Sequence, residues 1–379
     1  MSKGYRLAGR TMSETIGQRK ADHLALCATE DVGFQRVSTL FENVRLVHDA
    51  LPDLDEPTIS TTTILLGKRL AAPMVIAAMT GGTEEAGRVN RDLAQIAEEK
   101  GLAFGLGSQR AMHSGKGAGT EVSSRRGSHL AASYRVRDVA PTALVFGNIG
   151  VVQARDMSTT EVRDLALEVG ADALCVHLNP AMELIQPGGD RDFGSGLETI
   201  ERLVADLGLP VIVKETGCGL SPDVGRRLRN ANVQHLDVSG AGGTSWVGVE
   251  ARRAQIEGDL PSRDLGTALW DWGIPTAASV ALISPLGFKT LIATGGVASG
   301  VDVARALVLG ASAAGIARPL LKALHQNGRT GAVAAVDAIL RELRAVMLLT
   351  GSRDLRALSR AKRVIVGELS AWIEQLSHT

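Results

Sequence analysis

The chain has few cysteines, no net charge and no long hydrophobic run near its start, and each absence excludes a class of protein. Lys plus Arg and Asp plus Glu both number 41 among the 379 residues. This balance leaves no basic stripe that would follow a phosphate backbone, so we expect no nucleic-acid partner. Residues 1–10 carry charge, but no apolar stretch follows them. A secretory signal and a membrane anchor are therefore not expected, and we predict a cytoplasmic protein without a membrane partner.

Cysteine usage also favours a cytoplasmic protein. The three cysteines, Cys27, Cys175 and Cys218, are odd in number and widely spaced. This pattern favours reduced structural thiols over a disulfide framework or a zinc site.

Short apolar runs recur along the chain and alternate with helical patterns. The runs are Met74–Met79, Leu102–Leu106, Ala143–Ile149, Ala173–Leu178, Pro210–Val213, His235–Val238, Thr290–Ala293 and Ala313–Ala317. Most are continuous rather than alternating, which is typical of parallel strands buried on both faces. The helical patterns are Glu84–Lys100, Thr159–Val169, Gly196–Leu207, Pro222–Asn230 and Val301–Leu309. The order predicts an α/β protein with a single (β/α)8 barrel rather than two Rossmann-like halves.

Additional segments precede and follow the predicted barrel. We predict one domain over residues 1–379, with an N-terminal extension at 1–70, a barrel core at 71–325 and C-terminal helices at 326–379. Two helical patterns, Val333–Leu349 and Leu355–Gln375, occupy the last part.

Two predicted connections are unusually long, Arg110–Pro141 and Ser245–Thr276. Long loops at the carboxyl face of a barrel often close over the site. The second contains Trp246, Trp270 and Trp272 although only 3% of the chain is aromatic. We interpret it as a candidate lid or subunit contact.

A glycine loop follows the seventh predicted strand. The stretch Leu291-Ile-Ala-Thr-Gly-Gly-Val-Ala-Ser-Gly300 indicates strand, loop and helix start. Paired glycines expose backbone N–H groups, and the helix adds its positive N-terminus, so the loop is suited to phosphate. Loops after the last two strands of such barrels bind phosphate in this way. A tight turn without a ligand is the alternative interpretation.

Polar residues stand where the other apolar runs end. Such positions face the mouth of a barrel. Lys214 closes a buried strand and needs a partner that offsets its desolvation, either in a Schiff base or beside an electron-rich ring. Asn148 and Ser108 provide hydrogen bonds for ring atoms. With phosphate at Gly295 and Gly296, this set indicates flavin mononucleotide (FMN).

A second cationic group is formed by Arg19, Lys20 and Arg110. It is separate from the late glycine loop, so we expect it to bind an anionic substrate such as a diphosphate. For Arg19 and Lys20 the alternative is a solvated surface pair. Glu183 is the candidate ligand for Mg²⁺, which is commonly held by one carboxylate together with substrate phosphates.

Over nearly its whole length the sequence resembles the type 2, FMN-dependent isopentenyl-diphosphate isomerases. The motifs that carry the resemblance are Arg19-Lys20-x-x-His23, Ala78-Met-Thr-Gly-Gly82, Gly107-Ser-Gln-Arg110, Asn148, His177-x-Asn179-Pro180, Val213-Lys-Glu-Thr-Gly217, Asp237-Val-Ser-Gly-Ala-Gly-Gly-Thr-Ser-Trp246, Trp272-Gly-Ile-Pro-Thr276 and Thr294-Gly-Gly296.

The resemblance implies a barrel that holds FMN and interconverts isopentenyl and dimethylallyl diphosphate, with Mg²⁺ and a reductant such as NADPH. It implies a homo-tetramer or homo-octamer. FMN would contact Ala78, Met79, Thr80, Ser108, Asn148, Lys214, Ser239, Thr244, Gly295, Gly296, Val297, Ala298, Ala317 and Arg318. The substrate would contact Arg19, Lys20, Ser108, Gln109, Arg110, His177 and Asn179, and Glu183 would bind the metal. The catalytic set would be His177, Asn179, Lys214 and the residue at position 182.

The sequence departs from the family pattern at three positions. The family usually has Gln before the metal-binding Glu, whereas this chain has Met182, which cannot donate a strong hydrogen bond. Gly188 replaces a carboxylate, and Ala298 replaces an arginine expected near the flavin phosphate.

These departures keep other functions open. One alternative is a diverged FMN enzyme, either an oxidoreductase or a double-bond isomerase, acting on another isoprenoid-like or acyl substrate. Another is a flavin-binding protein that has lost isomerase activity. The last alternative is a barrel that binds phosphate but no flavin.

Overall fold

The computed structural model describes residues 12–114 and 131–377. Eight parallel strands in these ranges form a closed barrel: β4 (Met74–Ile76), β5 (Ala103–Gly105), β6 (Leu144–Gly150), β7 (Ala173–Leu178), β8 (Val211–Glu215), β9 (His235–Asp237), β10 (Thr290–Thr294) and β11 (Ala313–Ile316). Each strand pairs with the next, and β11 closes the barrel by pairing with β4. The predicted (β/α)8 barrel is confirmed.

Helices surround the barrel. Those in the described ranges are α1 (Met12–Thr29), α2 (Glu84–Lys100), α3 (Arg110–Ser114), α4 (Val151–Arg155), α5 (Thr159–Glu168), α6 (Pro180–Ile185), α7 (Gly196–Asp206), α8 (Pro222–Asn230), α9 (Trp246–Glu257), α10 (Leu260–Ala268), α11 (Thr276–Ile283), α12 (Gly300–Val308), α13 (Arg318–Leu349), α14 (Leu355–Leu358) and α15 (Gly367–Leu376). In the described part of the chain, no helix combines the length and apolar character needed to cross a membrane.

Alternation along the barrel strands separates two apolar layers. Val75, Phe146 and Ile212 belong to a cluster inside the barrel. Met74 and Ile76 belong to the larger cluster between strands and helices. The hairpin of β2 (Thr63–Leu65) and β3 (Lys68–Leu70) adds Leu65 and Leu70 to the inner cluster. Strand side chains alternate between two faces, and both faces are apolar in seven of the eight barrel strands, as the continuous runs predicted. The exception is β9, in which His235 and Asp237 share one face and Leu236 lies on the other.

The predicted connection Ser245–Thr276 is largely helical, which corrects the prediction of a long loop. It contains α9 and α10, which pack against each other. Trp270 is buried, and its indole N–H donates to the Gly33 carbonyl at 2.8 Å. Trp272 is 63% exposed. The other predicted connection begins with α3, and its residues 115–130, which include the Gly- and Ser-rich stretch, lie outside the described residues.

The C-terminal prediction is wrong in one element. Leu355–Gln375 does not form a single helix, because β12 (Arg363–Ile365) separates α14 from α15. This strand pairs antiparallel with β1 (Val44–Leu46), with Val44 opposite Ile365. The preceding pattern, Val333–Leu349, forms the second half of α13, which is interrupted at Asn327 and Gly328.

Candidate active site

The carboxyl ends of the barrel strands surround a cavity of about 620 Å³. The predicted site residues that line it are Arg19, Lys20, Ala78, Met79, Thr80, Ser108, Arg110, Asn148, His177, Asn179, Met182, Glu183, Lys214, Ser239, Thr244, Gly295, Gly296, Val297, Ala298, Ala317 and Arg318. Residues from both ends of the sequence therefore meet at one place. Cys27 and Cys175 are buried, and all three cysteines are free, as expected.

Gln109 is the predicted site residue that does not line the cavity. Its side chain is fully buried, and the amide N–H donates to the Leu165 carbonyl at 2.9 Å. Its Oε1 accepts the Asn148 backbone N–H at 2.9 Å. The side chain thus links β6 to α5 on the outer side of the barrel. The structure therefore does not support the predicted substrate contact of Gln109.

Bare backbone forms the cavity wall at the end of β10. Gly295 and Gly296 have φ angles of 105° and 74°, which favour glycine. A Cβ atom on Gly243 would lie 2.3 Å from the Gly296 nitrogen, so two loops pack backbone to backbone. The α12 helix follows, with Ser299 as its N-cap. This wall has the peptide groups and helix dipole that bind phosphate.

Arg318 lies on the rim at the start of α13. Its Nη2 donates to the Glu30 carbonyl at 2.6 Å, and its Nε donates to the Cys27 carbonyl at 3.3 Å. The guanidinium therefore holds the C-terminal end of α1 against the barrel.

Lys214 ends β8 inside the cavity and is 8% exposed. Its ammonium donates to the Glu215 carbonyl at 2.5 Å. The Glu215 carboxylate accepts the backbone N–H groups of Thr216 and Gly217 at 2.6 and 2.7 Å, respectively. Burial nevertheless raises the pKa of Glu215 to about 7. The pKa of Asp237 is also raised by burial, against the opposing charge of Lys214.

His177 is a neutral acceptor. Burial, together with the charges of Lys214, Lys20 and Arg110, lowers its pKa to about 3. Asn148 Nδ2 donates to the Leu106 carbonyl at 3.0 Å, so Asn148 Oδ1 faces His177 Nδ1 at 2.9 Å and must accept. This network places the imidazole proton on Nδ1 and leaves Nε2 with a free lone pair.

The cations Arg19, Lys20 and Arg110 meet at the mouth, where they form what we call the cation cluster. Lys20 Nζ donates to the Ser108 carbonyl and to Tyr134 Oη, both at 2.6 Å. Burial, with the charges of Arg19 and Arg110, lowers the pKa of Lys20 to about 7. Arg19 makes no hydrogen bond or ion pair within the described part of the chain, and burial lowers its pKa. Such a cluster favours a bound anion.

Glu183 lies beside this cluster. Its Oε1 accepts Asn179 Nδ2 at 3.0 Å and lies 3.7 Å from Arg110 Nη1. Its Oε2 accepts Gln186 Nε2 at 3.2 Å and the Asp190 N–H at 2.8 Å. Across residues 12–114 and 131–377, no group of three or more His, Cys, Asp or Glu is placed to bind a metal. A divalent cation here would take most of its ligands from a substrate and water.

Several cavity residues were not assigned a role from the sequence. They include His23, Gln153, Gln186 and Trp246, and His23 in turn contacts Glu250. His23 Nε2 lies 2.6 Å from Glu250 Oε1, and its ring packs edge-on against Trp246 with centroids 5.3 Å apart. The four-residue spacing of Trp246 and Glu250 indicates a shared helix face, but nothing local predicts their contact with His23.

Comparison with known proteins identifies the family. The profile of the FMN-dependent dehydrogenases matches residues 12–140 and 190–364. Isopentenyl-diphosphate delta-isomerase from Methanosarcina barkeri is 42% identical over 94% of this chain and 94% of its own. That from Pyrococcus abyssi is 38% identical over 96% of each chain. The chain belongs to the isopentenyl-diphosphate delta-isomerase family.

Solved structures support the fold of this isopentenyl-diphosphate delta-isomerase family member. A mandelate oxidase variant with a monooxide FMN adduct is 17% identical, with a TM-score of 0.62 over 94% of this chain and 100% of that chain. A putative lactate oxidase from Pediococcus acidilactici is 16% identical, with a TM-score of 0.63 over 95% and 96% of the two chains.

The three departures from the isopentenyl-diphosphate delta-isomerase pattern occupy different places. Met182 lines the cavity next to Glu183. Ala298 also lines it, and its N–H donates to Asp302 Oδ2 at 3.2 Å. Gly188 lies in an exposed turn with φ of 66°, and no atom lies within 4 Å of the position that a Cβ atom would take there. Only the first two therefore change the cavity.

Proposed function

We propose that the chain interconverts isopentenyl and dimethylallyl diphosphate, with FMN and Mg²⁺ as cofactors. One observation carries the proposal: a single cavity has two anion-binding regions, the glycine wall at Gly295 and Gly296 and the cation cluster. The first suits the phosphate of FMN and the second suits a diphosphate. The names of the relatives supply the identity of the diphosphate.

The residues of the cavity fit FMN. Packed loops at Gly243 and Gly296 leave no room for side chains, so a phosphate can reach backbone N–H groups. Lys214, Asn148 and Ser239 offer a cation and polar groups to the edge of a flavin ring. When bound in reduced form, FMN supplies an electron-rich ring that can exchange a proton with an alkene, and NADPH is required only for the initial reduction.

The chain's own residues would prepare the site. Protonation of an unactivated alkene requires a dry, preorganised pocket. The cation cluster would hold the diphosphate, and Lys214 would stabilise negative charge from a buried position. Trp246 and Met182 line the cavity, and their apolar surface would exclude water. Neutral His177 would accept a hydrogen bond at Nε2.

Mg²⁺ would bind through Glu183. A single carboxylate fits Mg²⁺ when substrate oxygens and water complete the octahedron. Asn179, Gln186 and the Asp190 N–H hold both carboxylate oxygens in place. Binding at this position would bring the metal to the diphosphate beside Arg110.

The test is turnover of isopentenyl diphosphate by the FMN-loaded protein under anaerobic conditions, with Mg²⁺ and NADPH or dithionite. We expect dimethylallyl diphosphate to form only when the flavin is reduced and Mg²⁺ is present. Glu183→Gln should retain the flavin absorbance but lose the Mg²⁺-dependent rate. A protein that binds FMN but produces no dimethylallyl diphosphate would contradict the proposal.

The variant Met182→Gln tests how the replacement of the family's Gln by Met182 affects turnover. An amide at this position restores a strong hydrogen-bond donor next to Glu183. We expect wild-type turnover to be slow and the variant to be faster by about tenfold or more, since one positioned proton-transfer group contributes ~100-fold or more. Activity confined to Met182→Gln would instead favour another unsaturated substrate for the natural chain.

We also propose that the protein is a homo-oligomer. Ile256 on α9 and Leu260 and Leu265 on α10 are 76%, 52% and 42% exposed, respectively. Exposed apolar residues on adjoining helices support a subunit contact. Light scattering would distinguish a tetramer or octamer from a monomer.

A further inference from the structure

A charge network with the buried pair Glu250 and Arg253 at its centre joins α1 to α9, and we call it the α1–α9 network. Arg253 Nη1 lies 2.8 Å from Glu250 Oε2, and Arg253 Nε lies 3.3 Å from Asp22 Oδ2. Glu250 Oε1 lies 2.6 Å from His23 Nε2. Arg253 Nη2 also pairs with Glu257 Oε1 at 2.6 Å. The network thus connects two consecutive residues of α1 to two turns of α9.

Burial makes this network sensitive to the loss of one member. Glu250 is fully buried and Arg253 is 6% exposed. Charges removed from water are tolerated when they are paired, and removing one partner leaves the other uncompensated. Opposing charges from His23, Arg253 and Arg19 outweigh burial and lower the pKa of Glu250, so the carboxylate is ionised.

The α1 members of the network lie directly beside two members of the cation cluster. Asp22 and His23 follow Arg19 and Lys20 by about one helical turn. A helix is stiff over one turn, so the positions of Asp22 and His23 fix those of Arg19 and Lys20. Arg318 holds the other end of the helix through the carbonyls of Cys27 and Glu30.

We propose that Arg253 is a positioning residue for the diphosphate site, because it holds α1 in the register that directs Arg19 and Lys20 into the cavity. The identity of the diphosphate rests on the proposed function, whereas the placement of α1 does not. Since Arg318 independently anchors the C-terminal end, loss of Arg253 should loosen the part of α1 that bears the two cations and leave the barrel intact.

The test compares Arg253→Gln with wild type, both saturated with FMN so that the glycine wall is occupied, by calorimetry with inorganic pyrophosphate as the probe. We expect binding to weaken by about tenfold or more, as small displacements of positioned groups cost up to ~100-fold. FMN affinity, measured by flavin fluorescence, should change less than about twofold, because the glycine wall contains no member of the α1–α9 network. In turnover, KM for the diphosphate should rise more than kcat falls.

Two further variants separate positioning from folding. Arg253→Lys keeps a cation that can reach one carboxylate and should recover part of the pyrophosphate affinity. Asp22→Ala removes the acceptor on the α1 side while Arg253 and Glu250 stay paired within α9, so it decides the matter if Arg253→Gln does not fold. Arg226→Gln, which removes an exposed arginine paired with Asp223 on α8, is the matched control.

Unchanged pyrophosphate affinity in Arg253→Gln or, if that variant does not fold, in Asp22→Ala would overturn the proposal. Equal losses of pyrophosphate and FMN affinity would also overturn it, since they would indicate general destabilisation. Failure of the proposed isomerase activity would appear as absent turnover in wild type and would leave the pyrophosphate comparison readable.

Discussion

At the scale of single residues, burial changes what Lys20 and His177 do near neutral pH. Lys20 has a pKa of about 7 and lies among other cations. His177, with a pKa of about 3, stays neutral over the whole working range. The cavity therefore pairs a lysine that can gain a proton with an imidazole that cannot.

We expect the lysine to make anion binding pH-dependent. A diphosphate beside Lys20 favours its charged form and raises its pKa, so binding takes up a proton between pH 7 and the pKa of the complex. Affinity for inorganic pyrophosphate should consequently fall as the pH rises above about 7. Calorimetry at pH 8 in buffers of different ionisation enthalpy measures the net proton uptake, which should be lower in Lys20→Met than in wild type. Equal proton uptake in the two proteins would contradict this expectation.

Lys214 supports a different prediction. Its ammonium lies in the cavity at the end of β8, away from the α1 cations in sequence. In Lys214→Met we expect turnover to fall by about 100-fold or more, as preorganised charges contribute this much to catalysis. Pyrophosphate affinity should be retained. Lys289→Met removes an exposed lysine and serves as the control.

At the scale of elements, the loop after β10 depends on the absence of side chains. A Cβ atom on Gly296 would lie 2.4 Å from Thr39 Cγ2 and 2.8 Å from the Gly242 carbonyl oxygen. The same loop forms the proposed phosphate wall. Stability and ligand affinity are therefore coupled at this position.

Gly296→Ala and Gly287→Ala form a matched pair. Both glycines have a φ of 74°, but nothing lies within 4 Å of the Cβ position at Gly287. We expect Gly287→Ala to lower the free energy of unfolding by about 1 kcal/mol through backbone strain. Gly296→Ala should cost about 1–3 kcal/mol more through overpacking, and it should also weaken FMN binding. Urea denaturation and flavin fluorescence measure the two effects, and equal losses of stability would refute the packing argument.

Sequence predicts the elements whose contacts are repeated and local. The eight apolar runs form barrel strands because each is buried on both faces. The segment Leu355–Gln375 has the pattern of one helix because the partner strand of β12, β1, lies near the other end of the chain and leaves no local trace. Ser245–Thr276 has the pattern of a connection because α10 is short and carries exposed apolar residues.

The same limit applies to the site. Residues at strand ends are predictable because a barrel places them at one face. Gln109 has the composition and position of a site residue, but its side chain bonds to backbone behind the strand. The contact of His23 with Glu250 spans 227 residues and cannot be predicted from either residue's neighbours.

At the scale of the whole molecule, a second polar cluster, centred on Asp172, links the hairpin of β2 and β3 to the barrel. Asp172 Oδ1 lies 2.8 Å from Lys68 Nζ, and its Oδ2 accepts from Arg137 Nη2 at 2.6 Å and from the Val145 N–H at 2.8 Å. Although burial opposes it, these hydrogen bonds lower the pKa of Asp172. The carboxylate thus stabilises the end of the barrel opposite the cavity.

Asp172→Asn should lower the free energy of unfolding by about 1–3 kcal/mol at neutral pH, since it leaves charged donors without a full partner. The pKa is lowered on folding, so the stabilisation exists above the ordinary Asp pKa and is lost as the pH falls through the folded value. The difference in the free energy of unfolding between wild type and variant should disappear below about pH 4. Asp156→Asn, at an exposed pair with Arg155, should show no comparable gap in the same denaturation series.

The packing of α1 also has a consequence for the order of assembly. Its contacts with Glu250 and Arg318 span 227 and 291 residues, respectively. During synthesis this helix leaves the ribosome before any barrel strand, whereas Arg318 follows the last barrel strand, β11. The helix can therefore complete its contacts with the barrel only after every barrel strand has been synthesised, and the proposed diphosphate site is completed by a segment that precedes the barrel in the chain.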